Sequence, residues 1–130
     1  MVSQARLHDA FGEIIYAVAI ADGLIQEEEL KVVDEKLEDF SWGKDAKWSF
    51  HWEKKKGTGL KVAYLRALET FKENGPTPHY YELIEVLEDI AKASEGFERK
   101  EGQVISIFNK ELRLHFLEYL VDNKLTRKKT

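Results

Sequence analysis

Apolar residues recur along this chain at steps of three and four positions, the spacing of one face of an α-helix. Five such stripes follow one another: Leu7, Phe11, Ile14, Val18 and Ala21; Leu30, Val33, Leu37 and Phe40; Leu60, Tyr64, Ala67 or Leu68, and Phe71; Leu83 or Ile84, Leu87, Ile90 or Ala91, and Ser94; Val104, Ile107 or Phe108, Leu112, Phe116 and Leu120. No segment keeps a period of two with β-branched enrichment, as a strand would. The pattern therefore predicts an all-α fold, a compact bundle of about five to seven helices.

Turn-forming residues separate the stripes. Gly23 follows the first stripe, and a glycine just past a helix can adopt the left-handed conformation that closes it. Pro76 and Pro78 disfavour helical geometry at the residues before them. Pro78 suits the first turn of the next helix, with Thr77 as its cap. Residues 40–53 follow no clear stripe, and their structure is left unassigned.

That unassigned segment carries all three tryptophans, Trp42, Trp48 and Trp52. In one interpretation the rings seal the junction between two halves of the domain. In the other they form an aromatic binding surface, because aromatic rings are enriched at interface hot spots. The burial of the three rings distinguishes these two interpretations, since buried rings favour a scaffold and exposed rings favour an interface.

Composition narrows the class of protein. Hydrophobic residues make up 43% and charged residues 34% of the 130, which excludes a disordered chain. The net charge of −4 argues against a nucleic-acid binder, which would present a basic surface. The absence of cysteine excludes disulfides and thiolate metal sites. Two basic runs, residues 54–56 and 127–129, predict solvated surface or weak attraction to an acidic partner or an anionic lipid surface.

Targeting and catalytic signals are not evident in this sequence. The longest apolar run, residues 14–21, falls short of the roughly 20 residues that span a bilayer. Residues 1–9 lack the apolar core of a secretory signal. We therefore expect a cytoplasmic protein without a transmembrane segment. The scattered His8, His51, His79 and His115 form no His-Glu-x-x-His motif, and no Gly-x-Ser-x-Gly elbow occurs, so we expect no enzymatic activity.

Two stretches of the chain, residues 17–29 and 90–101, are alike. Each reads as a helix, a small residue, an acid, a glycine, an apolar residue and an acid-bearing helix start, and the second copy is one residue shorter in its turn. Each copy predicts a helix–turn–helix hairpin, so the bundle is expected to consist of two related helical hairpins. We treat residues 1–130 as a single domain, with half 1 at about 4–53, half 2 at about 58–122 and a short basic tail at 123–130.

The first turn partly matches a calcium-binding EF-hand loop. Asp22, Gly23 and Glu29 fit the second half of that pattern. The positions that should supply the first two oxygen ligands hold Val18 and Ile20, which leaves too few oxygens for calcium. A standard EF-hand is therefore rejected.

A different cation site is left open. If the two turns come together, their carboxylates would converge, and a cation would relieve the repulsion between them. The simpler alternative is that acids in the first turn of a helix interact favourably with its macrodipole, and that the glycine only ends the preceding helix.

The residues 20–29, Ile-Ala-Asp-Gly-Leu-Ile-Gln-Glu-Glu-Glu, and their echo at 93–98 resemble the TerB-like tellurite-resistance family. The resemblance implies an all-helical fold, a link to tellurite resistance and other stress responses, and a non-enzymatic role. It also implies a divalent-cation site, of unknown metal, formed by Asp22, Glu28, Glu29, Glu95 and Glu101. The rival hypothesis is a ligand-free protein-interaction domain that presents Trp42, Trp48 and Trp52 to an unknown protein partner.

Overall fold

The computed structural model describes residues 4–21, 23–94 and 98–117, apart from the side chain of residue 98. Over these ranges all regular structure is helical, which confirms the all-α prediction. The elements are α1 (Gln4–Ala19), α2 (Glu27–Lys36), a short 3-10 helix (Leu37–Asp39), α3 (Gly43–Lys56), α4 (Leu60–Asn74), α5 (Tyr80–Ala93) and α6 (Glu98–His115). Among the described residues, no helix combines the length and the apolar character needed to cross a membrane.

Helix α1 forms the centre of the bundle, and α3, α4, α5 and α6 all pack against it. Residues 14–19 are buried one after another, so the C-terminal part of this helix is covered on every side, whereas residues 4–6 and Asp9 near its start are exposed. Phe11 stacks on Phe71 of α4 with 5.4 Å between ring centroids, and it meets the edge of Trp42 at 4.8 Å. A helical segment that is apolar all round is stable only when its neighbours exclude water from all its faces.

Helix α3 is the element that the hydrophobic pattern does not assign. Most of its inward positions are small or polar, so they form no apolar stripe: Gly43, Ala46, Ser49, Phe50 and Glu53. These small residues allow a close approach to α1, where a Cβ added to Gly12 would lie 2.2 Å from the backbone oxygen of Ala46. The Ser49 hydroxyl also donates a hydrogen bond to the backbone oxygen of Asp9 at 2.8 Å.

The turns follow the sequence signals in part. Gly23 has a φ of 93° and Gly57 has a φ of 69°, the left-handed region that favours glycine. Gly57 ends α3 by donating its N–H to the backbone oxygens of Glu53 and Lys54. Helix α5 begins at Tyr80, so Pro78 precedes the helix and does not lie in its first turn as expected.

A polar cluster joins α1, α3 and α4. Glu53 is almost fully buried, and its carboxylate accepts hydrogen bonds from Thr58 Oγ1 at 2.5 Å and from Arg66 Nη1 at 3.1 Å. The same guanidinium lies 3.6 Å from a carboxylate oxygen of Glu13. Tyr16 donates its hydroxyl to the backbone oxygen of Thr58 at 2.6 Å. These bonds fix the turn between α3 and α4 against α1.

The substitution Gly12→Ala is expected to destabilise the protein, because its Cβ would clash with the α3 backbone and force the two helices apart. Overpacking of this kind costs about 1–3 kcal/mol in the free energy of unfolding. Gly102→Ala in α6 is the matched control. A Cβ there would meet no atom within 4 Å, and replacing a mid-helix glycine by alanine gains about 0.5–1 kcal/mol. Urea unfolding gives the free energy of unfolding of both variants. Equal changes in the two would contradict the close packing of Gly12 against α3.

The stability is expected to depend on pH through Glu13. Burial raises the pKa of Glu13 above 4.5; the Arg66 guanidinium opposes this shift and Glu53 adds to it. Since the folded state then holds the proton more tightly, the stabilisation from this group is fully present below the unfolded pKa and is lost as pH rises through the folded pKa. Glu13→Gln removes that titration.

The Glu13→Gln variant should therefore gain stability relative to wild type as pH rises from about 4.5 to neutrality. Urea unfolding of both proteins across this range gives the difference in free energy at each pH. Glu69→Gln, which removes an exposed carboxylate from α4, controls for the change in net charge. A difference for Glu13→Gln that does not vary with pH would contradict the raised pKa.

Candidate functional site

The three tryptophans divide between the core and the surface. Trp42 has no exposed area and packs parallel to Phe40 at 4.8 Å between centroids. Its indole Nε1 donates a hydrogen bond to Glu82 Oε1 at 2.9 Å, which satisfies its only polar atom. This ring therefore acts as the structural seal that one interpretation predicts for the segment.

Trp48 and Trp52 lie on the outer face of α3, one helical turn apart. They are 64% and 46% exposed, and their rings stack in parallel at 5.6 Å with an interplanar angle of 7°. Lys56, one turn further on, places its Nζ 5.8 Å from the centre of the Trp52 ring, a cation–π contact. These two rings match the interpretation of the segment as a binding surface.

Exposed lysines surround this pair. Lys44 lies one turn before Trp48, and residues 54–56 follow Trp52. None of these four ammonium groups forms an ion pair within the described part of the chain, whereas Lys47 on the flank of α3 bonds to Glu38 Oε2 at 3.4 Å. We call the surface formed by Lys44, Trp48, Trp52, Lys55 and Lys56 the Trp–Lys face.

A shallow groove adjoins the Trp–Lys face where the 3-10 helix meets α3. Its volume is about 290 Å³, and it is lined by Leu37, Glu38, Phe40, Gly43, Lys44 and Lys47. Lys44 belongs to both the groove and the face. The two features together offer apolar surface bordered by lysines and, at the groove, by Glu38, which pairs with Lys47.

The predicted acidic turns are described only in part. Asp22 and Glu95 lie outside the described residues. Glu28 is exposed on α2, whereas Glu29 and Glu101 have no exposed area. Glu29 Oε1 accepts a hydrogen bond from the backbone N–H of Gln26 at 2.7 Å, the carboxylate half of a capping box.

This geometry accounts for Glu29 as a helix-capping residue. Within residues 4–21, 23–94 and 98–117, no three His, Asp or Glu side chains are placed to hold a metal ion together. Asp22 and Glu95 lie outside these ranges, so the predicted cation site stays a prediction. From the sequence, acids in the first turn are expected to favour the helix macrodipole; the specific bond to Gln26 that makes Glu29 a capping residue is not predicted.

Two histidines that looked scattered in the sequence are neighbours in the fold. The rings of His8 and His79 lie 6.4 Å apart between centroids. His8 Nδ1 is 3.5 Å from Asp45, and His79 Nδ1 is 3.1 Å from Glu82, the carboxylate that also binds Trp42. Each imidazole therefore has its own carboxylate, and the arrangement serves to join α1, α3 and α5. No sequence motif connects residues so far apart.

No protein-family model matches this chain, and comparisons with curated proteins and with solved structures find no match either. The similarity to the TerB-like family is therefore carried by residues 20–29 and 93–98 alone, and it stays a prediction.

The capping role of Glu29 makes a direct prediction. Glu29→Ala should lower the free energy of unfolding by about 1 kcal/mol, because the N–H of Gln26 loses its acceptor. Glu28→Ala, on the exposed side of the same turn, should change it by less than about 0.5 kcal/mol. Urea unfolding compares the two variants. Equal losses would show that Glu29 does not act through the cap.

Proposed function

We propose that this chain is a non-enzymatic, cytoplasmic binding module that docks a protein partner on its Trp–Lys face. The observation that carries the proposal is the parallel stack of Trp48 and Trp52, which is exposed to solvent. The inward side of α3 is filled by other residues, so the two rings are not needed for the core. Tryptophan is among the residues that most often dominate the energy of protein interfaces.

The exposed area of the pair is large enough to matter for binding. A tryptophan side chain buries roughly 200 Å² when it is fully enclosed, and about half of each ring is still in water here. Covering that area would contribute roughly 5 kcal/mol before the entropic costs of association. Two such rings can therefore serve as the anchor of an interface.

Structural demands explain Trp42 but not the outer pair. Trp42 fills the core between Phe11, Phe40 and Glu82, so its removal would leave a cavity. Trp48 and Trp52 stack mainly on each other and on Lys56. The outer pair is thus open to replacement without loss of the fold, which makes the proposal testable.

The proposal predicts a binding defect confined to the outer pair. The double variant Trp48→Ala/Trp52→Ala should stay folded and lose at least about ten-fold in affinity for its partner, since each lost anchor is worth 1 kcal/mol or more. Tyr81→Ala, which removes the 76% exposed ring of Tyr81 from α5, is the matched control and should bind like wild type.

The measurement is quantitative affinity capture from the cells that make the protein, with wild type, the double variant and Tyr81→Ala as baits. Circular dichroism and thermal unfolding first establish that all three are folded. A protein recovered by wild type and by Tyr81→Ala, and lost with the double variant, supports the proposal. Equal recovery by all three baits contradicts it.

The cation hypothesis drawn from the TerB-like resemblance is a second candidate function. The observation that favours it is the complete burial of Glu29 and Glu101 at matching positions of the repeat, near the starts of α2 and α6. The Glu29 carboxylate also accepts the backbone N–H of Gln26, so a cation there would be an additional partner of that carboxylate and not a replacement for the cap.

This second candidate predicts that calcium, magnesium, manganese or zinc shifts the amide NMR signals of Gly23 and Gly96 in a saturable way. The shifts should vanish in Asp22→Asn/Glu95→Gln, because the substituted side chains lose the charge that attracts the metal. If no shifts occur at metal concentrations up to millimolar, the two turns only end one helix and begin the next. That result would leave the protein-binding proposal unaffected.

A further inference from the structure

We infer that the partner of the Trp–Lys face is an acidic protein segment with at least one apolar side chain. This inference rests on the proposed function and adds the chemistry of the partner. It is carried by the charges around Trp48 and Trp52 and by the groove beside them.

The charge on the outer side of α3 is opposite to that of the whole chain. The protein has a net charge of −4, yet Lys44 and residues 54–56 are exposed around the two rings. Of the acids on α3, Glu53 is buried against Arg66, whereas Asp45 is 56% exposed and lies 3.5 Å from His8, so lysines still outnumber exposed acids on this helix. A partner that brings carboxylates to the Trp–Lys face would therefore meet complementary charge, which favours fast association and selects against basic partners.

The adjoining groove provides for an apolar side chain. Phe40, which is only partly buried, contributes apolar surface, whereas Leu37 lines the groove with no exposed area. Lys44 stands at the border of the groove, and Lys47 is paired there with Glu38. Because Lys44 is also one turn from Trp48, a single extended or helical segment can reach both the groove and the ring pair. A peptide with acidic residues next to an apolar side chain would match this arrangement, in which Lys44 lies between the groove and the two rings.

The flank of α3 favours a protein segment over a membrane or a nucleic acid. Asp34, Glu38 and Asp45 carry side chains that are 54%, 73% and 56% exposed beside the lysines. A planar anionic bilayer or a continuous phosphate chain would bring negative charge against these carboxylates. A peptide can place its few acids at the lysines alone.

The test is a selection of displayed random peptides on the immobilised full chain. Wild type, Trp48→Ala/Trp52→Ala and Lys44→Glu/Lys55→Glu/Lys56→Glu serve as targets. Lys61→Glu/Lys92→Glu/Lys110→Glu is the matched control, because it makes the same change of net charge at exposed positions elsewhere. Fluorescence titration of the enriched peptides then measures their affinities at rising concentrations of NaCl.

We expect wild type to enrich acidic peptides that contain an apolar residue. Their affinity should fall by about ten-fold or more on the lysine-reversed variant, stay within about two-fold of wild type on the control, and weaken as salt rises. Enrichment that depends on the tryptophans without acidic bias, or affinity insensitive to the lysine reversal, would overturn this inference and leave the proposed function standing.

The remaining outcomes are also decisive. If no peptide depends on Trp48 and Trp52, both the proposed function and this inference fail. Vesicles of equal parts phosphatidylserine and phosphatidylcholine, and a single-stranded oligonucleotide, are tested beside the enriched peptides. Tighter Trp-dependent binding to either of them would overturn the choice of a protein segment as the partner.

Discussion

The arrangement of the bundle depends on the burial of residues 14–19 of α1 from all sides. Six consecutive buried residues leave no face of this part of the helix for solvent, so the surrounding helices must approach it closely. Gly12 is where α3 makes its approach, with the backbone of Ala46 too near for any side chain. This contact fixes the rotation of α3 about its own axis and thus decides which of its residues face water.

The exposure of Trp48 and Trp52 follows from that rotation. Ala46, Ser49 and Phe50 occupy the side that meets α1, and Glu53 is held there by Arg66 and Thr58. Turning the rings inward would expose Phe50 and break the polar cluster. The outer aromatic pair is therefore a consequence of how α3 is held. Isolated apolar residues are common on protein surfaces, but clustered ones tend to mark interaction sites.

The sequence pattern predicts most of the helices because large apolar residues recur at helical spacing in α1, α4, α5 and α6. It misses α3, since close packing there selects small residues that form no stripe. The sequence also does not predict which tryptophans are buried and which are exposed, because the burial of Trp42 depends on Phe11 and Glu82, which lie far from it in the chain. The acidic turn is an intermediate case: the sequence leaves open a favourable interaction of its acids with the helix macrodipole, and the structure places Glu29 at the helix start in a capping box with Gln26, which was not predicted.

The stacked geometry of the outer pair bears on how it would bind. Rings one turn apart on a helix stack here in a parallel arrangement, and the Lys56 ammonium also contacts the Trp52 ring at 5.8 Å from its centre. Less side-chain entropy is then lost when a partner covers the rings, so more of the gross burial energy becomes affinity. The lysines add attraction at longer range, whereas the rings act only on contact. The lysines would thus mainly increase the rate of association, and the aromatic pair would mainly slow dissociation.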